Sequence, residues 1–521
     1  MIALKDKLTV EPGFQYVVDS LELMSAAGRR RMLSQEFLTD ADSLNAELDR
    51  VGRIVSCLSD DVVDFVPECQ CGEGGVDQSL KHSSNQTLSA EPTAHHKQSI
   101  THLRHQLMQM HDLQGTMNNL RQHVCLEEVE LFEIKSFALL CRETMRAATD
   151  MGVADILAIP DTKEVFDLLD PDGTGLPNFY VYDSYHPDLG ELRRELKALQ
   201  TKQHGSALHH GSALLSAEQK EEDALDLQRR INDLFDRQSQ IQQQVIAQLS
   251  DKLVAHQPML QQAYDRMAYT DFLFAKATLA QRWQLVRPEI NPSSNHSSHL
   301  IQIWNPRLKH RNEELGLRYQ PVDIKLQSGT CLITGANMAG KTVLLKTVGI
   351  VQMMAQFGFF VPAERASVTL VDDVVFCIGD EQNEMNGLSS FASEIIKISD
   401  ALSRAEKEHL LLLIDEPART TNPIEGKAIV QAVADLLDRC TSMTLITTHY
   451  SQLGLSCRRL RVRGFVESAA TERLTPDNIN RFIDYSLLPD DSDDVPQEAM
   501  RIASILQCNS ALLAKAQEYL G

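Results

Sequence analysis

The chain is short of positive charge. Its 521 residues carry 72 Asp and Glu against 50 Lys and Arg, a formal net charge of −22. Nucleic-acid coating is driven by Lys and Arg displacing counterions from phosphates, so this balance excludes a generalised coat while leaving room for a local basic lining. Long apolar runs are lacking as well. The most apolar stretches are LLLLI at 410–414 and GIVQMMAQFGFFV, which Gln352 and Gln356 interrupt. Neither is long enough to span a bilayer, and the N-terminus MIALKDKLTVEPG has no signal-peptide core. A soluble, cytoplasmic protein with no membrane partner is expected. The ten cysteines are scattered, and a chain of this size needs no disulfides, so reduced thiols are expected. Cys69 and Cys71 in PECQCGEGG, with His82, His95 and His96 downstream, read as part of a Gly/Ser/His-rich linker rather than a metal site.

What is present implies more than one domain, because a single core stops growing well below this length. Residues 68–98 are rich in Ser, Gly, Gln and His, and 202–216 contain HGSAL twice; both read as flexible inserts. NPSSNHS at 292–298 reads as a boundary. Helical periodicity dominates before it. Leu227, Ile231, Leu234, Ile241, Val245, Leu249 and Leu253 recur at helical steps, with Gln238 breaking a perfect coiled-coil seam. Residues 116–147 also read as helical, and FYVYDSY at 179–185 as β-prone. After about residue 300, short apolar runs alternate with helices: CLITG, 341–357, ASVTLVDDVVF, 391–405, LLLLID, 425–438 and MTLITTH. That alternation predicts an α/β domain with a largely parallel sheet. The expected division is a mainly helical domain at 1–290 and a nucleotide-binding domain at 291–521.

GANMAGKT, Gly335 to Thr342, follows the run CLIT and opens a helical segment. It satisfies G-x-x-x-x-G-K-[ST] in the strand–loop–helix context that a phosphate-cradling loop requires. Gly335, Ala336, Asn337, Met338, Ala339, Gly340, Lys341, Thr342 and Val343 are therefore expected to hold nucleotide phosphates. Lys341 would reach the outer phosphates and Thr342 a Mg²⁺ ion. LLLLIDEP places Asp415 and Glu416 at the end of a run with the profile of a buried parallel strand. Asp415 is the candidate metal residue and Glu416 the candidate for polarising the attacking water. MTLITTHY ends in His449, a candidate γ-phosphate sensor. GLSSF at 387–391 precedes a helix, with Ser389 or Ser390 as possible N-cap and Glu394 in its first turns.

Together these motifs resemble the MutS family of ABC-type ATPases. TGANMAGKT is similar to its TGPNMGGKS-type loop, FGFFVPAERA to its segment ending in VPA, and GLSSFASEI to its G-x-S-T-F-x-x-E signature. DEPARTTNPIEG is similar to its D-E-x-x-R-G-T loop and TTHY to its A-T-H-Y strand, all five in the family's order. SAAGRRRMLSQEF resembles the start of the family's helical lever, FLFAKATLAQRWQLVRPEI its return helix, and QEAMRIASILQCNSALLAKAQEYL its C-terminal dimerisation helices. The resemblance implies ATP and Mg²⁺ as cofactors, ATP hydrolysis, and a homodimer in which Ser389 reaches the partner's γ-phosphate. It also aligns Tyr319 with an aromatic that stacks on adenine, where core packing is the competing reading.

The departures matter. The lever motif begins near residue 25, leaving no place for the family's mismatch-reading and connector domains, and the loop reads DEPARTT where relatives have glycines. Two functions stay open. The first is an ATPase that clamps DNA in repair or recombination, binding without regard to sequence and reading no mismatch of its own. The second is an ATP-dependent reactivase of a protein client, such as an adenosylcobalamin-dependent lysine or ornithine aminomutase. The acidic balance favours the second and the lever resemblance the first.

Overall fold

The computed structural model describes residues 2–8, 11–58, 91–208, 217–291, 297–335, 340–378, 390–465, 482–490, 503 and 509–520. The chain forms two compact units: Met1–Glu22, Leu33–Val63 and Leu273–Gly521 in the first, Leu23–Met32 and Asp64–Phe272 in the second. The units do not part at 290/291. Residues from the N-terminal 63 cluster with the C-terminal half because their apolar side chains are needed there. Phe14 stacks on Phe357 at 5.6 Å, and Phe37 meets the same ring edge-on at 5.2 Å. The buried Gln356 amide donates to the carbonyls of Leu38 and Val371.

Among the described residues, the first unit has ten strands: β1 (Glu289–Ile290), β2 (Ser297–Ile303), β3 (Val322–Gln327), β4 (Gly329–Thr334), β5 (Arg365–Val368), β6 (Asp373–Cys377), β7 (Leu410–Asp415), β8 (Met443–Thr447), β9 (Arg458–Phe465) and β10 (Ile483–Pro489). A six-stranded sheet has the order β10-β9-β4-β8-β7-β6, parallel throughout except for the antiparallel edge strand β10. The mixed sheets with their helices agree with an α/β fold. LLLLI in β7 is wholly buried, as expected of a parallel strand covered on both faces. The helix Lys341–Gln356 is apolar on nearly every side, and its long run of buried residues shows it lies inside the unit.

A second sheet, of order β1-β5-β2-β3, was not apparent in the sequence. It divides ASVTLVDDVVF: β5 joins this sheet and β6 the large one, with Thr369–Asp372 between them. β3 alternates buried and exposed residues, the pattern of a sheet covered on one face.

The second unit is helical. Expected helix 116–147 is two helices, Gln114–Arg121 and Glu128–Asp150, separated by a turn whose Leu126 N–H donates to the Ser250 hydroxyl. FYVYDSY forms no strand; its only regular element is a 3₁₀ turn at Asp183–Tyr185. The polar ends of its tyrosines explain why. Tyr182 is buried with its hydroxyl at the Lys135 ammonium, and the Tyr185 hydroxyl donates to the Leu168 carbonyl. These anchors fix the aromatics one at a time and override β propensity. The helix Ala217–Val254 carries the expected stripe, buried at Ile231, Ile241, Val245, Leu249 and Leu253, with Leu227 and Leu234 half-buried. Gly28 of the GRRRML motif has a packing reason: a Cβ there would run into the Asp271 carboxylate. That carboxylate accepts from the Met24 and Ser25 N–H groups and the Ser25 hydroxyl, satisfying donors before the helix Ala26–Leu33. Among the described residues, no helix is long and apolar enough to cross a membrane.

Candidate functional site

Parallel strands bring their C-terminal ends to one edge of the sheet, where open α/β sheets bind ligands. Here β8 lies between β4 and β7, and its last residue, Thr447, is in register with Ile333 on one side and Asp415 on the other. The Thr447 hydroxyl donates to Asp415 Oδ1 at 2.6 Å, and the Thr342 hydroxyl donates to Asp415 Oδ2 at 2.6 Å. Two hydroxyls from separate elements thus hold one carboxylate. Lys341 is nearly sealed, with 3% of its surface exposed. Its ammonium donates to the Gly335 carbonyl at 2.7 Å and lies 3.2 Å from Glu416 Oε1. Gly340, which opens the helix, has φ +74°, and a Cβ there would lie 3.0 Å from the Tyr485 ring. Only glycine suits both that backbone and that contact.

The turn leaving β7 is unusual. Glu416 has φ +43° and Ala418 φ +60°, left-handed values that a Cβ disfavours. Side chains from two elements pin it. The Glu416 N–H donates to the Thr447 hydroxyl at 2.9 Å, the Ala418 N–H donates to Glu394 Oε1 at 3.3 Å, and the Ala418 carbonyl accepts from the Tyr450 hydroxyl at 3.3 Å. Burial pushes the Glu394 carboxyl up, with the Asp415 charge adding to it and the Ala418 N–H opposing. Arg419 is exposed, its Nη1 3.7 Å from Glu416 Oε2.

The arrangement of a β-strand, a glycine-led helix start with a buried lysine, and an Asp–Glu pair at the next-but-one strand end accords with sequence comparison. The MutS domain V family matches residues 331–490. The chain carries a MutS domain V. It is 34% identical over 232 residues to an endonuclease MutS2 of Agathobacter rectalis and 35% identical over 232 residues to one of Geobacillus thermodenitrificans. Each of these alignments covers 44% of this chain and 28% of the relative. An endonuclease MutS2 of Geobacillus kaustophilus is 38% identical over 197 residues, 37% of this chain and 24% of the relative. The chain therefore spans less than a third of the length of these curated relatives.

Of the residues that the MutS resemblance singled out, Gly335, Gly340, Lys341, Thr342, Asp415 and Glu416 lie together at the sheet edge. Ala336, Asn337, Met338, Ala339 and Ser389 lie outside the described residues, as do most of the two expected inserts and most of 491–508. The described end of the chain is the helix Ser510–Leu520. Val343 sits in the first turn of its helix, its carbonyl accepting from the Thr347 hydroxyl. His449 is exposed after β8, its ring 4.4 Å from that of Tyr450. Tyr319 is half-buried and its hydroxyl accepts from the Asn305 N–H at 2.8 Å, which ties the ring end to the fold.

Sequence reasoning missed four participants. Thr447 reads as an ordinary β-branched strand residue, although its place in TTH beside the strand that ends in DEP was a usable signal. Glu394 and Tyr450 sit inside recognised motifs, but their shared target, Ala418, follows from packing alone. Tyr485 carries no local signal. It reaches Gly340 because β10 adds to the sheet edge and because Gln320, next to Tyr319, bonds both Asp484 and the Tyr485 N–H.

Proposed function

We propose that this chain binds Mg²⁺–ATP and hydrolyses it, as a MutS-type ATPase acting on DNA in repair or recombination. The observation that carries this reading is the pair of contacts Lys341–Glu416 and Thr342–Asp415 at the end of a parallel strand. Each links a group suited to a triphosphate or its metal to an acidic residue suited to the other half of the reaction. Lys341 exchanges Glu416 for the outer phosphates, which frees the Glu416 carboxylate to orient the attacking water. Thr342 and Asp415 offer the all-oxygen donor set that Mg²⁺ prefers, and the ion supplies charge neutralisation between phosphates. His449, exposed beside this edge, senses the γ-phosphate. Tyr485 and Tyr319 together flank the base. Two chains associate, with Ser389 of one completing the site of the other.

Steady-state ATPase assays beside fluorescent-nucleotide binding test the roles. Lys341→Ala is expected to abolish binding and hence turnover. Glu416→Gln is expected to cut turnover by about 10²- to 10⁴-fold, the scale of a lost acid–base group, while ATP stays bound. Equal loss of ATP binding in both variants refutes the assignment.

The partner follows from the relatives, which are named endonucleases of the MutS2 type. Backbone binding to DNA without regard to sequence predicts affinity that falls steeply with salt and is the same for matched and G·T-containing duplexes. The charge of −22 favours a second reading, ATP-driven remodelling of a protein client such as a cobalamin-dependent aminomutase. Titration of both duplexes at fixed salt, with and without ATP, decides between the partners: no binding in either state favours the client.

A further inference from the structure

We infer that Glu394 is a positioning residue that sets Glu416 for hydrolysis by holding the Ala418 N–H, tying the helix Ser390–Ala405 to the hydrolytic turn. This rests on the proposed ATPase reading of the site. Two non-glycine residues at positive φ, two apart in one turn, persist only where their surroundings over-determine them. Three side chains do so here. Thr447 ends β8 and Tyr450 follows it closely, so both hold the turn from the sheet edge itself. Glu394 alone of the three comes from a helix, and it accepts the Ala418 N–H from within that helix's first turns.

The position of Glu394 matters as much as its bond. Its helix begins at Ser390, inside the GLSSF segment at 387–391, so a displacement of the helix start moves the acceptor of the Ala418 N–H. At 3.3 Å that bond is near the long end of its range, and a shift of a few tenths of an ångström weakens it steeply. Ala418 then leaves its left-handed conformation, and the Glu416 carboxylate, two residues earlier in the same strained turn, turns away from the reacting phosphate. Lys341 keeps its bond to the Gly335 carbonyl and Thr342 its bond to Asp415. The tether therefore acts on turnover and not on nucleotide binding.

The test uses the full chain with three substitutions. Glu394→Ala is expected to lower kcat about tenfold or more with the ATP dissociation constant within about twofold, the signature of an interaction needed only for the chemical step. Glu394→Gln keeps an acceptor oxygen and is expected to retain kcat within about threefold. Tyr450→Phe, which removes the tether to the Ala418 carbonyl, is expected to lower kcat a few-fold, again without change in binding. Amide exchange of residues 416–420 reads the tether without any turnover: Glu394→Ala loses protection there and Glu394→Gln keeps it. Equal kcat in wild type and Glu394→Ala, equal loss in the Ala and Gln variants, or unaltered protection in Glu394→Ala overturns the inference. If Glu394→Ala does not fold, wild-type kcat and protection in Tyr450→Phe overturn it instead. Lost protection in a chain whose wild type hydrolyses no ATP supports the tether and refutes the ATPase reading alone.

Discussion

Each of the two units buries a lysine against a carboxylate, and the two sites are built to opposite ends. In the helical unit, Lys135 is fully buried and donates to Asp170 Oδ1 at 3.0 Å, to the Asn178 carbonyl at 2.8 Å and to the Tyr182 hydroxyl at 2.8 Å. Its three ammonium hydrogens are thus committed. Asp170 is equally occupied, accepting from the Thr174 hydroxyl and the Gly175 N–H as well. In the α/β unit, Lys341 is as deeply placed, but its carboxylate partner Glu416 stands in a left-handed turn and also faces the exposed Arg419. A buried ion pair is weak evidence of function by itself. What distinguishes the second is the strained backbone around the lysine's partner.

The comparison breaks if the two lysines respond alike to removal. Lys135→Met leaves Asp170 buried with several donors but no counter-charge, and is expected to cost about 3–5 kcal/mol, read as a lowered denaturant midpoint. Lys341→Met is expected to cost less than half of that, because Glu416 retains Arg419 beside it. Equal losses would mean that the Lys341–Glu416 pair is structural.

The strained turn gives a smaller effect of opposite sign. Ala418→Gly removes a Cβ from a left-handed residue, where it costs about 1–2 kcal/mol, and adds about 0.5–1 kcal/mol of unfolded-chain entropy. A net gain of up to about 1.5 kcal/mol in stability by chemical denaturation is expected. A net loss would show that the turn carries no strain.

Acid sharpens the contrast further. Burial opposes the charge on Asp170, but the bonds from Thr174, Gly175 and Lys135 outweigh it and hold the carboxyl down at about 2. A depressed carboxyl contributes stability above its unfolded value, and that contribution is lost as pH falls toward its folded value. The helical unit is therefore expected to lose stability between about pH 4 and pH 2, followed by circular dichroism, and Asp170→Asn is expected to flatten that limb.

The sequence alone determined the parts whose signals are local. A parallel strand buried on both faces needs a continuous apolar run, so LLLLID and CLITG announced themselves, and the glycines around Lys341 marked the loop between strand and helix. The 3.6-residue stripe of Ala217–Val254 was equally plain, because one helix face repeats in a short window. Tertiary structure decided the rest. Glu394, Ala418 and Tyr450 come together through hydrogen bonds between separate elements, and no spacing encodes them. The split of ASVTLVDDVVF between two sheets depends on which neighbour each half pairs with, since strand propensity says nothing of partner. Residues Met1–Glu22 and Leu33–Val63 join the C-terminal half because Phe14 and Phe37 both pack on Phe357, far along the chain. Periodicity reveals which face of an element is apolar; only the folded chain reveals which surface that face covers.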